Sequence, residues 1–321
     1  MKSARNKTIS LLKDEEQSYL TKCLPYCSNK NTSNTIIHGD AMGVLPTLPQ
    51  KTVDLLIVDP PYNLDKKYGS TPFRQTSNEE YIKFTREWIE KAVPSLKPHA
   101  SIYVCADWKT SLVIGAVLSD YFVIQNRITW QREKGRGALA NWKNSMEDIW
   151  FATLSPKNYT FNVDDVKIRR KVIAPYKENG NPKDWYETKD GNFRDTFPSN
   201  FWDDITIPYW SMPENTTHPT QKPEKLMAKL ILASSNVDDL VLDPFLGSGT
   251  TAVVAKKLGR NYIGIEKEAE YCAISQKRLE TIEKRPAIQG YEQGVFWERN
   301  TLTIQKTKAK NEETNAAQVT F

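Results

Sequence analysis

No apolar run in this 321-residue chain approaches the roughly 20 residues that a membrane-spanning helix needs. The opening Met1-Lys2-Ser3-Ala4-Arg5 is not followed by an apolar stretch, so a secretory leader is not expected. Cysteine is scarce: Cys23, Cys27, Cys105 and Cys272 show no pairing pattern. Cys23 and Cys27 lack a second ligand pair, which argues against zinc, and no metal is expected. A reducing cytoplasm fits this cysteine usage. Internal repeats are absent. What remains is ordinary for a globular protein, at 39% hydrophobic and 26% charged residues. The length suits one large α/β domain with an insertion, or two domains.

The net charge of +5 weakly favours a polyanionic partner. Arg127, Arg132, Lys134, Arg136 and Lys143 fall in a short span whose single acid is Glu133. Such an excess can neutralise phosphates and steer a duplex, although a solvated loop face has the same composition.

Residues 1–33 are polar and basic and read as an N-terminal arm outside the core. Short strands are predicted at 35–38 and 55–58, followed by a polar loop at 65–78 long enough to act as a lid. Tyr81, Phe84, Trp88, Ile89, Ala92 and Val93 recur at helical intervals, which predicts a helix over 79–96. Further strands are expected at 101–105, 122–130 and 148–152, with a helix at 110–118. Between about 162 and 212 periodicity is lost. Trp185, Tyr186, Phe193, Phe197, Phe201, Trp202, Tyr209 and Trp210 interleave there with Arg169, Arg170, Lys171, Lys177, Lys183, Lys189 and Arg194. Stacking platforms beside cations suit nucleic acid, but acids are nearly as numerous, and an aromatic-stapled subdomain fits equally. Helices at 223–234, 251–258 and 269–283 then alternate with strands at 240–242 and 262–265. After Pro286 the pattern fades into a polar tail over 286–321.

Two blocks carry chemistry. Each follows an apolar strand, so each lies where ligands bind in open α/β sheets. In Asp243-Pro244-Phe245-Leu246-Gly247-Ser248-Gly249-Thr250 the glycines remove side chains where a ligand would approach. The helix that follows offers backbone N–H groups to an anionic group. Glu266 ends the next strand about 20 residues on, where a ribose finds its acceptor. No lysine of the phosphate-gripping kind follows the glycines, which favours a nucleoside without a triphosphate; these residues alone also allow a nicotinamide cofactor. In Asp59-Pro60-Pro61-Tyr62 the prolines fix φ and leave carbonyls as acceptors. A carboxylate and a carbonyl side by side can hold an amino group and accept developing positive charge. Tyr62 offers a face on which a base can stack. A rigid turn is the plainer reading of the tetrapeptide.

With both blocks in view, residues 35–285 resemble the N6-adenine and N4-cytosine DNA methyltransferases. Asp59-Pro60-Pro61-Tyr62 is similar to their catalytic motif, and 243–250 to their S-adenosylmethionine motif. His218-Pro219-Thr220-Gln221-Lys222-Pro223 resembles the segment that closes over the methionine part of the cofactor, and His38-Gly39-Asp40 the motif near its adenine. The order, catalytic block first, resembles the β group. The resemblance implies a permuted Rossmann-like α/β sheet of seven mostly parallel strands. It implies a catalytic half at 34–162, a target-recognition insertion at 163–212 and a cofactor half at 213–285. Asp59, Pro60 and Tyr62 would be catalytic. Asp40, Ala41, Asp59, His218, Thr220, Lys222, Asp243, Pro244, Phe245, Gly247, Ser248, Gly249, Thr250 and Glu266 would bind the cofactor. Aspartate at the first motif position resembles the adenine enzymes more than the cytosine ones. The implied partner is double-stranded DNA, the implied setting a restriction-modification system, and a homodimer is allowed. N4-cytosine methylation, RNA methylation and a non-catalytic DNA-binding role are the alternatives. His38 and His99 read as structural residues, and Lys222 as a partner for the cofactor carboxylate or for a phosphate.

Overall fold

The structure, a computed structural model, describes residues 5–12, 14–26, 33–68, 71–132, 140–172, 176–189 and 191–299. Cys27, Lys134, Arg136 and the polar stretch at 303–318 lie outside the described residues.

The main sheet is built from β1 (Leu24–Pro25), β2 (Thr35–His38), β3 (Val53–Val58), β4 (Leu96–Ala106), β5 (Val123–Gln131), β6 (Met146–Thr153), β7 (Phe201–Trp202), β8 (Leu240–Asp243) and β9 (Asn261–Glu266). Their spatial order is β1-β2-β9-β8-β3-β4-β6-β5-β7. Pairing is parallel from β1 across to β4, and β6 runs antiparallel between β4 and β5. The sheet is therefore mixed and has nine strands, not the seven mostly parallel ones expected. The two edge strands, β1 and β7, are two residues long, too short to leave a periodic signal.

The helices begin with α1 (Glu15–Leu20) and α2 (Ala41–Val44). All six residues of β3 are buried, as a strand covered on both faces requires. Leu55 and Ile57 pack with α5 (Glu224–Ser234) and α6 (Thr250–Lys257) on one side. Leu56 and Val58 pack with α3 (Asn78–Ala92) and α4 (Thr110–Tyr121) on the other. α3 starts in a capping box between Ser77 and Glu80. It stops four residues before the predicted end, where Pro94 enters a 3₁₀ turn and Leu96 opens β4. After β3 the chain crosses through α3 to β4; after β8 it crosses through α6 to β9, the other way. Adjacent parallel strands with diverging connections leave a crevice at their carboxyl ends, and both chemical blocks emerge there.

A second sheet has five strands, in the order Tyr186–Thr188, Gly191–Thr196, Ile168–Lys171, Val295–Trp297 and Tyr291–Glu292. Residues 291–297, expected in a patternless tail, thus join the insertion, and Phe296 is fully buried. α5 is buried along its whole length against both units. Its Lys225 and Lys229 hold Asp204 from 2.6 and 2.7 Å. The N-terminal arm is likewise stitched down rather than standing off. Ile9 bridges Thr216, Lys277 reaches Glu15, Lys22 pairs with Glu280, and Cys23 is buried.

Candidate active site

The crevice is a cavity of ≈ 390 Å³. It brings together Asp40, Ala41, Asp59, Pro60, Tyr62, His218, Thr220, Lys222, Asp243, Pro244, Phe245, Gly247, Ser248, Thr250 and Glu266, residues scattered over most of the chain. The exception is Gly249. It caps α6 at φ 82°, and a Cβ there would come within 2.6 Å of the Ser275 Cβ. At this position the turn packs on α7 (Ala269–Glu280) too closely for a side chain.

At the β3 end, Asp59 sits in a buried charge cluster. Lys222 Nζ lies 2.6 and 2.7 Å from its two carboxylate oxygens. The same ammonium is 3.1 Å from the Tyr62 hydroxyl and 3.4 Å from Glu147 Oε2, and it lies 5.3 Å from the Tyr62 ring centroid. The Tyr62 hydroxyl lies 3.0 Å from Asp59 Oδ1 and 3.3 Å from Glu147 Oε2. Arg132 holds the other oxygen of Glu147. Burial opposes the Lys222 charge, but Asp59 and Glu147 outweigh it and hold the ammonium above its ordinary range. Burial, then the same two carboxylates, push the Tyr62 hydroxyl well up. Lys222, expected to offer a cation to a ligand anion, meets two carboxylates here. The Pro61 carbonyl accepts from Tyr81, while Pro60 lines the cavity.

At the β8 end, the turn is shaped by its own acid. Asp243 accepts from the Thr251 hydroxyl at 2.6 Å and the Phe245 N–H at 3.0 Å. Burial pushes its carboxyl up to about 7 against those two donors. Phe245 is steadied edge-on by Trp88 of α3. Gly247 takes φ 56°, and His218 covers it so closely that a Cβ would meet Nε2 at 3.1 Å. The His218 ring also packs edge-on against Tyr271. Arg278 ties the loop to α7 by donating to the Ser248 carbonyl and the Thr250 hydroxyl.

Glu266 closes the next strand. Its carboxylate accepts from the Gly247 N–H at 2.8 Å and the Glu268 N–H at 2.7 Å. Burial raises it to about 7, against those N–H donors. Asp40 accepts the Met42 N–H as the cap of a short helical turn and pairs with Lys267 at 2.9 Å, joining the ends of β2 and β9. Glycine turn, helix start and rim acids together fit an adenosyl amino acid: backbone N–H groups for its carboxylate, acceptors for its ribose, and Met42, Phe84 and Ile265 as apolar walls.

Glu147 and Asn144 were not singled out from the sequence. Arg132 was noted only as part of a basic span. These residues reach the cavity because the antiparallel pairing of β5 and β6 brings the end of one strand beside the start of the other, a tertiary fact without a local motif. Arg132 pairs with Glu147 and Arg127 lies 3.9 Å from Asp148, so neither stands as an unpaired phosphate-neutralising cation. His99 lies 3.2 Å from Asp54, which also accepts the Leu240 N–H where β8 begins, away from the crevice. The insertion's cations are partly used at home. Arg169 pairs with Asp195 at 2.8 Å and lies over the rings of Tyr186 and Trp297. Phe197, Phe201, Tyr209 and Trp210 remain exposed.

Comparison with known proteins agrees with this geometry. The N6/N4 family model described as DNA methylase matches residues 53–277. The type II methyltransferase M.HpaI of Haemophilus parainfluenzae is 37% identical over 250 residues, covering 77% of this chain and 74% of that protein. The DNA adenine methyltransferase YhdJ of Escherichia coli (strain K12) is 36% identical over 256 residues, covering 78% and 84%. The crystal structure of the M1.HpyAVI–SAM complex matches with a TM-score of 0.54 at 27% identity, covering 76% of this chain and 98% of that one.

Proposed function

The chain belongs to the N6-adenine/N4-cytosine class of DNA methylases, S-adenosylmethionine-dependent enzymes acting on amino groups of double-stranded DNA, and from that premise we propose that its target is the N6 amino group of adenine in a specific sequence. The observation that carries the reading is the opening of Asp59 and the Gly247 turn into one cavity from adjacent strands. Aspartate at the first motif position and the adenine specificity in the name of the E. coli relative support adenine over cytosine. N4-cytosine is the second reading, because the family model spans both targets and the pocket's acceptors suit either amino group.

The target base leaves the helix, because inside it the amino group is paired and out of reach. Tyr62 stacks on the base, and Asp59 with the Pro60 carbonyl accepts its amino hydrogens. This fixes the nitrogen and stabilises the positive charge it gains. Asp40, Ala41, His218, Thr220, Asp243, Pro244, Phe245, Gly247, Ser248, Thr250 and Glu266 would hold S-adenosylmethionine, which supplies an electrophilic methyl group on sulfur. A cytoplasmic modification enzyme of a restriction system, acting alone or as a homodimer and taking its sequence contacts from the insertion, completes the proposal.

Incubation with labelled S-adenosylmethionine and mixed-sequence plasmid, followed by nucleoside analysis, tests it. N6-methyladenine is the expected product. N4-methylcytosine would select the second reading, and label transfer to RNA alone, or to nothing, would defeat the proposal.

A further inference from the structure

Resting on that reading of Asp59, we propose that Lys222 is a placeholder for the target amino group and that Glu147 is the acceptor to which it retreats. The Lys222 ammonium satisfies both oxygens of Asp59 and sits by the Tyr62 ring, where the base and its amino group must go. With Tyr62 also on one oxygen, the amino group of a base must compete with this ammonium for the same acceptor. The cluster provides for that. Glu147 Oε2 is already 3.4 Å from Lys222, and Arg132 holds the opposite oxygen, so the carboxylate is fixed in place. Lys222 and Glu147 are both buried, so an ammonium displaced from Asp59 needs a protein partner.

The exchange also matters for charge. The nitrogen gains positive charge as it is methylated, and a bare ammonium nearby would oppose it. Paired with Glu147, Lys222 is neutralised, and Asp59 keeps its own charge for the base. Lys222 and Glu147 are thus positioning residues: neither needs to touch the reacting atoms.

The experiment measures methyl-transfer kcat and S-adenosylmethionine affinity for the full-length wild type, Glu147→Gln, Lys222→Met and the double variant, on DNA that the wild type methylates. Glu147→Gln keeps Lys222 on Asp59, so kcat should fall at least about tenfold while cofactor affinity stays within about threefold. In the Lys222→Met background, Glu147→Gln should cost less than about twofold, because no ammonium remains to be parked. Equal losses in both backgrounds would mark a merely structural cluster and overturn the proposal. An unchanged kcat in Glu147→Gln would do the same, and that isosteric variant can overturn the proposal even if Lys222→Met fails to fold. Loss of cofactor affinity of tenfold or more in folded Lys222→Met would place the lysine on the cofactor instead. A wild type that methylates no DNA would fail the functional reading itself, a separate result.

Discussion

At the scale of single residues, Glu266 shows how a buried group becomes a ligand sensor. Burial holds its carboxyl up to about 7 even with two N–H donors upon it. Ribose hydroxyls would donate to the ionised form, so binding must lower this value. Affinity for S-adenosylmethionine is therefore complete above about 7 and weakens as pH falls below it, by at most about tenfold per pH unit. Calorimetric titration between pH 8 and 6 should show that slope in the wild type and a shallower one in Glu266→Gln, where Asp243 still titrates. Parallel slopes in the two proteins would remove Glu266 from the ribose site. The place of this residue on the cavity wall was legible from its position at a strand end. The Lys222 contact was not, because a lysine in a loop motif carries no sign of which carboxylate it will meet.

At the scale of elements, α5 reads in the sequence as an apolar helix because Leu226, Met227, Leu230 and Ile231 share a face. Its other face is buried too, and there Lys225 and Lys229 enclose Asp204. Burial lowers Lys225 to about 8, against the opposing pull of Asp204. Asp204→Ala strands both lysines and should cost about 3–5 kcal/mol of stability, read from urea unfolding. A loss below about 1 kcal/mol would show that the lysines find other partners. The long elements of the main sheet were visible from periodicity alone. The two-residue edge strands were not, nor was the pairing of residues 291–297 with the insertion, since such short segments are specified by their neighbours.

At the scale of the whole molecule, two motif blocks that each follow an apolar strand pointed to ligand-binding strand ends, and β3 and β8 prove to lie side by side. Local charge was a poorer guide. The described cations near the crevice are paired with acids, and several in the insertion lie over aromatic rings. Phosphates neutralised in the complex, not the net charge of +5, would set the response to salt. DNA affinity should fall at least about tenfold between 50 and 200 mM salt, linearly on logarithmic axes, as counterion release requires. Fluorescence anisotropy with a labelled duplex checks this, and a salt-independent affinity would contradict phosphate neutralisation as a main source of binding.

The most direct measurement is single-turnover methyl transfer by Asp59→Ala beside its affinity for S-adenosylmethionine. The expected result is transfer reduced by about a thousandfold or more with cofactor affinity within about threefold of wild type, because the carboxylate serves the base. Wild-type transfer by this variant would contradict the assignment of the crevice at β3 and β8 as the place where the amino group is methylated.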